Sequence, residues 1–188
     1  MSKRGHNNPR VIVKGEILNI IVCGTGGRGV QHLSKLIRLL ALGKGLGCEG
    51  ASFKGGAQRM GTVYSELRIF DTARYEIISS CIPVGEVHLI IGLEPWEALR
   101  FAARCSADAK VIANTDIETL FIERFMDQKS SNPVEALGTL FKSPILKNYT
   151  ELALHETNSN RSANVLILED AITEGLLPFT LEELNRIN

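Results

Sequence analysis

Long apolar runs are scarce in this 188-residue sequence. The longest, over residues 17–23 and 89–93, are strand-sized. A membrane-spanning helix needs about 20 such residues, so spanning is excluded on length. Net charge is absent as well: 21 Lys and Arg balance 21 Asp and Glu. That balance removes the electrostatic footprint of a nucleic-acid binder or of a protein held on an anionic membrane. Cysteine is sparse and dispersed: Cys23, Cys48, Cys81 and Cys105 lie 25, 33 and 24 residues apart, with no CxxC. Zinc and iron–sulfur sites usually cluster their thiolates, so no metal ligand is assigned, and Cys23 and Cys105 read as buried thiols. The four histidines, His6, His32, His88 and His155, have no ligand-spaced neighbours. GxSxG, HExxH and GxxxxGK[ST] are all missing, so no catalytic residue is assigned either. The basic start MSKRGHNNPR is not followed by the apolar segment of a secretory signal, and the expected location is the cytoplasm.

What is present fits one ordinary domain. With 44% hydrophobic and 22% charged residues, a chain of this length buries roughly 70% of its unfolded surface. Residues 1–14 read as a ragged extension and 15–188 as the folded unit. Residues 17–23 form a β-branched run that suits a strand buried on both faces. Val30, Leu33, Ile37, Leu40 and Ala41 then recur at helical spacing, predicting a helix from about Gly27 to Leu42, stopped by Gly43. A brief strand fits 46–49. Residues 62–70 alternate, with Tyr64, Glu66 and Arg68 on one face, which predicts a half-exposed strand, and Arg74–Ile78 is expected to pair back antiparallel to it. Buried strands are expected at 87–93 and 110–114. Pro95 opens a helix to about Cys105. Thr115-x-x-Glu118 and Thr180-x-x-Glu183 read as capping boxes, the first for a helix through Met126. Residues 127–148 read as a loop with one helical turn, followed by a short helix near Leu152 and a longer one from Ala163 to Gly175. The expected fold is α/β: a mostly parallel twisted sheet flanked by helices, with one antiparallel strand pair.

Two glycine-rich segments stand out. Gly24-Thr25-Gly26-Gly27-Arg28-Gly29 satisfies GxGxxG between a strand and a helix. Its glycines permit a tight turn and close backbone approach, and the helix N-terminus offers free N–H groups to a phosphate. Glu49, 20 residues past Gly29, stands where a ribose-binding acid would sit in a dinucleotide fold, although the strand carrying it is short and glycine-rich. A plain strand-to-helix turn packed through small residues fits the same motif. The second segment lies within Gly43–Gly61, which holds seven of the 17 glycines. It includes Gln58, Arg59 and Gly61, and Arg59 presents a planar fork of donors suited to phosphate or carboxylate. A long glycine-dense connection fits a binding or partner-contacting loop, and a solvated surface loop is the alternative. Glu94 and Glu97 stand at a strand-to-helix junction near the edge where α/β sheets bind ligands, and they equally suit a helix N-terminus.

Four segments in order, IIVCGTGGRGVQHLSKLI, KGGAQRMGTVYSELRI, IIGLEPWEALR and NRSANVLILEDAITEGLLP, resemble the gamma subunit or domain of 2-oxoacid:ferredoxin oxidoreductases. That group acts on pyruvate, 2-oxoglutarate, 2-oxoisovalerate and indolepyruvate, and the spacing of LEPWEALR is most similar to the indolepyruvate branch. The resemblance runs from Ile17 to Leu184. Arg28 stands where the family motif has glutamine, and Met60 where it has glycine. The resemblance implies a part of a larger enzyme that is inactive alone. It also implies oxidative decarboxylation of a 2-oxoacid, thiamine diphosphate and iron–sulfur clusters on partner subunits, and electrons passing to ferredoxin through the complex. For this chain it implies coenzyme A binding, closure over the active site and assembly, with either coenzyme A phosphate or a partner meeting the two glycine motifs. Carried over by position, Gly24, Thr25, Gly26, Gly27, Arg28 and Gly29 form the first site turn, and Gln58, Arg59 and Gly61 the second. A stand-alone NAD(P)-binding domain and a nonenzymatic assembly or regulatory module of the same fold are the alternative readings.

Overall fold

Successive side chains of the first strand point into two different cores. Ile20 and Val22 join one cluster, Ile21 and Cys23 the other, and all four are fully buried. That is why the run carries no alternation of polar and apolar residues. The computed structural model describes residues 17–55, 61–117, 132–157 and 163–187. The expected N-terminal extension, the helix expected from Thr115 through Met126, Gln58 and Arg59 lie wholly or mainly outside the described residues.

Seven strands form one sheet: β1 (Leu18–Thr25), β2 (Leu46–Glu49), β3 (Ser52–Lys54), β4 (Thr62–Asp71), β5 (Val87–Gly92), β6 (Cys105–Asn114) and β7 (Ile145–Lys147). The order is β2-β4-β1-β5-β6-β7, with β3 also on β4. β1, β5, β6 and β7 pair in parallel, and β4 is antiparallel to β1, β2 and β3. Six strands therefore run one way and β4 alone runs against them, which gives the mostly parallel α/β sheet expected from the sequence. The antiparallel partner of β4 is not Arg74–Ile78, which forms turns and irregular chain; β4 is instead inserted between β1 and β2.

That insertion also corrects the half-exposed reading of β4. Residues Ser65 to Phe70 are buried throughout, Glu66 and Arg68 included. The connection from Asp71 to Val87 packs over this face. Glu66 accepts from the Ile82 backbone N–H at 2.6 Å and from Arg104 Nη1 at 2.6 Å. Arg68 donates to Asn19 Oδ1 at 2.9 Å and to the carbonyls of Ser79 and Cys81. The alternating polar residues face a covered, fully paired layer rather than water.

One sheet face is covered by α1 (Val30–Gly43), α4 (Tyr149–Thr157), α5 (Ala163–Thr173) and α6 (Leu181–Asn185), and the other by α2 (Pro95–Arg100) and α3 (Pro133–Leu140). α1 starts three residues later than its spacing predicts, because Gly29 is its N-cap in a left-handed conformation, φ 86°. α2 ends at Arg100 and passes into a 3-10 turn over Ala102–Arg104. Where one helical turn was expected, Asn132 caps α3 from its side chain and Pro133 opens it. β7 was likewise unexpected, as was β3. Both bonds of the Thr180–Glu183 capping box form as predicted. Gly175, at φ 68°, ends α5. Cys23 is buried, whereas Cys105 is only half-buried.

Candidate functional site

The first glycine motif leaves β1 toward α1 on one face of the sheet. β5, the next strand, leaves through Leu93 toward α2 on the opposite face. Such a divergence at the carboxyl ends of neighbouring parallel strands opens the crevice where α/β sheets bind ligands. A cleft of about 710 Å³ lies there, lined by Gly26–Gly29, His32, Leu93, Asn114, Asp116, Thr150, Ala163 and Asn164.

Each part of its wall has a local cause. Gly24 lies inside β1, where a Cβ would come within 3.1 Å of Leu93 Cβ and 3.3 Å of Val30 Cγ2, so it is a packing residue. Thr25 closes the strand, buried. Gly27 and Gly29 have φ of 99° and 86°, the left-handed region that favours glycine. A Cβ on Gly29 would also collide with Asn164 Nδ2. That amide is in place because it donates to the Arg28 carbonyl at 3.0 Å. α1 has no side-chain cap and no acid in its first turn, so no side chain caps its positive end.

Opposite the turn, Asn114 and Asp116 leave the end of β6. Asp116 Oδ2 lies 2.7 Å from Arg28 Nη1 and accepts from Thr150 Oγ1 at 2.9 Å. Asn114 Nδ2 donates to Thr150 Oγ1 at 2.8 Å, and its Oδ1 accepts from the N–H groups of Asp116 and Tyr149. Burial would raise the Asp116 carboxyl, but hydrogen bonds from Arg28 and Thr150 outweigh it and hold the group below the usual range.

The two glycine-rich motifs do meet. The Gly26 N–H donates to the Gly61 carbonyl at 2.9 Å. Register explains it: Lys54 and Gly24 both pair with Val63, so β3 ends level with the first turn. Glu49 is at the other end. It pairs with Arg68, which pairs with Asn19, six residues from Thr25 along β1. That is about 20 Å from the cleft at 3.3 Å per residue, so Glu49 is not placed as a ribose-binding acid.

Under this wall sit Glu94 and Glu97, 2% and 5% exposed. Glu94 Oε2 accepts from the Glu97 N–H at 2.9 Å, the helix-capping role read from the sequence. Thr62 Oγ1 donates to Glu97 Oε1 at 3.1 Å. Glu94 Oε1 has no hydrogen-bond partner. Glu97 Oε2 has only Arg100 Nε at 3.3 Å, in an ion pair without hydrogen-bond geometry. Burial pushes the Glu94 carboxyl up to about 7, with Glu97 adding to the rise. Among the described residues no group of three or more His, Cys, Asp or Glu could hold a metal ion, and no helix is long and apolar enough to cross a membrane.

The family model for pyruvate ferredoxin/flavodoxin oxidoreductase matches residues 19–184. The chain belongs to this family. Among its relatives, indolepyruvate oxidoreductase subunit IorB of Methanothermobacter thermautotrophicus is 34% identical over 125 residues, covering 66% of this chain and 59% of that protein. The chain thus spans less than two thirds of that relative's length. The gamma subunit of keto/oxoacid ferredoxin oxidoreductase from Geobacter sulfurreducens has the same fold, with TM-score 0.59 and 16% identity over 90% of this chain and 83% of that one. So does 2-oxoglutarate:ferredoxin oxidoreductase from Magnetococcus marinus, solved with 2-oxoglutarate, coenzyme A and succinyl-CoA. There the TM-score is 0.64 and the identity 13%, over 92% of this chain and 26% of that one.

Asn114, Asp116, Thr150, Asn164 and His32 were not singled out from the sequence as site residues. Asn114 and Asp116 had one legible signal, polar residues at the carboxyl end of a buried strand. Asn164 had another, as the second Asn of the Asn-Arg-x-x-Asn stretch that opens the fourth resembling segment, whereas Thr150 had none, since only the packing of α4 brings it to the cleft.

Proposed function

We propose that this chain is the gamma-type part of a 2-oxoacid:ferredoxin oxidoreductase and that its cleft receives the phosphate end of coenzyme A. The observation that carries the reading is the junction of the two glycine motifs, Gly26 to Gly61 at 2.9 Å, beside the 710 Å³ cleft and the uncapped start of α1. The donor set suits a phosphate: a helix N-terminus with no acid in its first turn, one guanidinium, and amides from Asn114 and Asn164. Coenzyme A, when bound, supplies the thiol that takes up the acyl group. The chain's own residues bind and orient: Gly26–Gly29 bring backbone close to the anion, and Asn164 fixes the turn from behind. Gly24 and Thr25 support the turn from within the strand, and Gly61 meets it from the second motif, whose Gln58 and Arg59 lie outside the described residues. Thiamine diphosphate and the iron–sulfur clusters belong to partner subunits in this reading. The four cysteines suit that division, since they are spread over β1, β2, β6 and the connection after β4.

The test is co-expression with thiamine- and cluster-bearing subunits, followed by native mass measurement. One assembly containing this chain is expected, with 2-oxoacid-dependent reduction of ferredoxin that the isolated chain lacks. A chain that stays monomeric beside those subunits overturns the reading. The position of Glu49 disfavours the stand-alone dinucleotide-binding alternative, and a flat calorimetric titration with NAD and NADP is expected.

A further inference from the structure

Arg28 is held at both ends, its carbonyl by Asn164 and its guanidinium by Asp116. Sheet order gives that second contact its meaning. β5 lies between β1 and β6, so a bridge from the loop after β1 to the loop after β6 passes over the end of β5 at Leu93 and spans the cleft. Asp116 is a prepared acceptor. Thr150 donates to the same oxygen that Arg28 uses, Asn114 orients Thr150, and the Asp116 N–H is tied to Asn114 Oδ1. The carboxylate therefore sits where an anionic ligand would meet the guanidinium. Glu94 lies within reach of the Arg28 charge as well. The one guanidinium among the described residues lining the cleft thus already faces a carboxylate.

We propose that Asp116 is a built-in competitor for the anion seat of this cleft: a phosphate-bearing ligand binds by displacing the Asp116 carboxylate from Arg28. The inference rests on the reading of the cleft as a phosphate site, and it concerns what sets affinity there. The bridge is breakable. Its side chains are 21% and 33% exposed, and ion pairs so open to water are weak. A diphosphate brings more charge than a single carboxylate, and it also gains the start of α1, which Asp116 does not use.

Calorimetric titration of the full chain with coenzyme A and with inorganic pyrophosphate tests this in a double-mutant cycle. Asp116→Asn removes the charge and keeps an oxygen for Thr150, and it is expected to tighten binding about fivefold, the size of a partly exposed ion pair. Arg28→Gln is expected to weaken binding about tenfold. In the double variant the gain from Asp116→Asn must vanish, because there is no guanidinium left to release. Asp116→Ser removes the charge by different chemistry and must tighten binding too, which guards against a folding defect in one variant. If both Asp116 variants bind like the wild type while Arg28→Gln weakens binding, the competition is overturned and the phosphate site stands. If no variant titrates with either probe, the phosphate site itself falls and the inference with it.

Discussion

Two groups of buried charges lie on the same face of the sheet and are treated in opposite ways. In the first, around β4, Glu66 spends its two oxygens on Arg104 and the Ile82 N–H, and Arg68 spends its donors on Asn19, Ser79 and Cys81. In the second, at the end of β5, Glu94 keeps one oxygen without a partner, and Glu97 keeps one without a hydrogen bond. The difference separates a fold anchor from a site. Paired charges hold the Asp71–Val87 connection against the sheet. At the end of β5, burial of a carboxyl with one oxygen left without a partner raises Glu94 to about 7. The Cys23 thiol is likewise pushed well up, first by burial and then by the Glu97 and Glu94 carboxylates.

Breaking the first group gives the largest expected effect. Glu66→Leu takes the carboxylate from Arg104 and the acceptor from the Ile82 N–H, and is expected to cost about 3 kcal/mol in urea unfolding, with Glu66→Leu/Arg104→Met recovering part of it. A second effect sharpens the contrast through pH. The folded-state pKa of Glu94 is raised, so its contribution to stability is full below about pH 4.5 and is lost as pH rises through about 7. Glu94→Gln is therefore expected to gain on the wild type between pH 5 and 8 by on the order of 2 kcal/mol. A pH-independent difference between the two unfolding curves would remove the argument. Thr62→Val deletes one of the two donors to Glu97 Oε1, the other being Arg100 Nη2 at 3.4 Å, for an expected loss of about 1 kcal/mol at neutral pH, read from the unfolding midpoint. Smallest is Arg28→Gln, expected to change stability by less than about 1 kcal/mol because its pair is partly exposed. A large loss there would place Arg28 among the fold anchors.

The same contrast explains what could be read from the chain. β1, β5 and the end of β6 are legible because a strand buried on both faces is mainly apolar, with Asn19 and the exposed His88 among the exceptions. The Thr180 cap is legible because its two bonds are local in sequence. β4 misleads, since Glu66 and Arg68 alternate with Leu67 and Ile69 as a solvent-facing row would. Their burial depends on partners at positions 19, 79, 81, 82 and 104, which no local pattern announces. α3 is hidden by an Asn-Pro pair that reads as a turn and serves here as N-cap and first residue. The first glycine turn is legible as a motif, but its opposing wall comes from three distant stretches, so half the cleft is invisible before folding.

Strand order also sets when the molecule becomes competent during synthesis. Three pairings, β1 with β4, β1 with β5 and β4 with the edge strand β2, need nothing beyond residue 92. The contact that positions the first turn needs Asn164, and the opposing wall needs Thr150. A ribosome emitting this chain N-terminus first delivers a sheet long before it delivers a binding cleft. Products terminated before Thr150 would display the central strands with no finished cleft, whose first turn is positioned only once Asn164 has emerged.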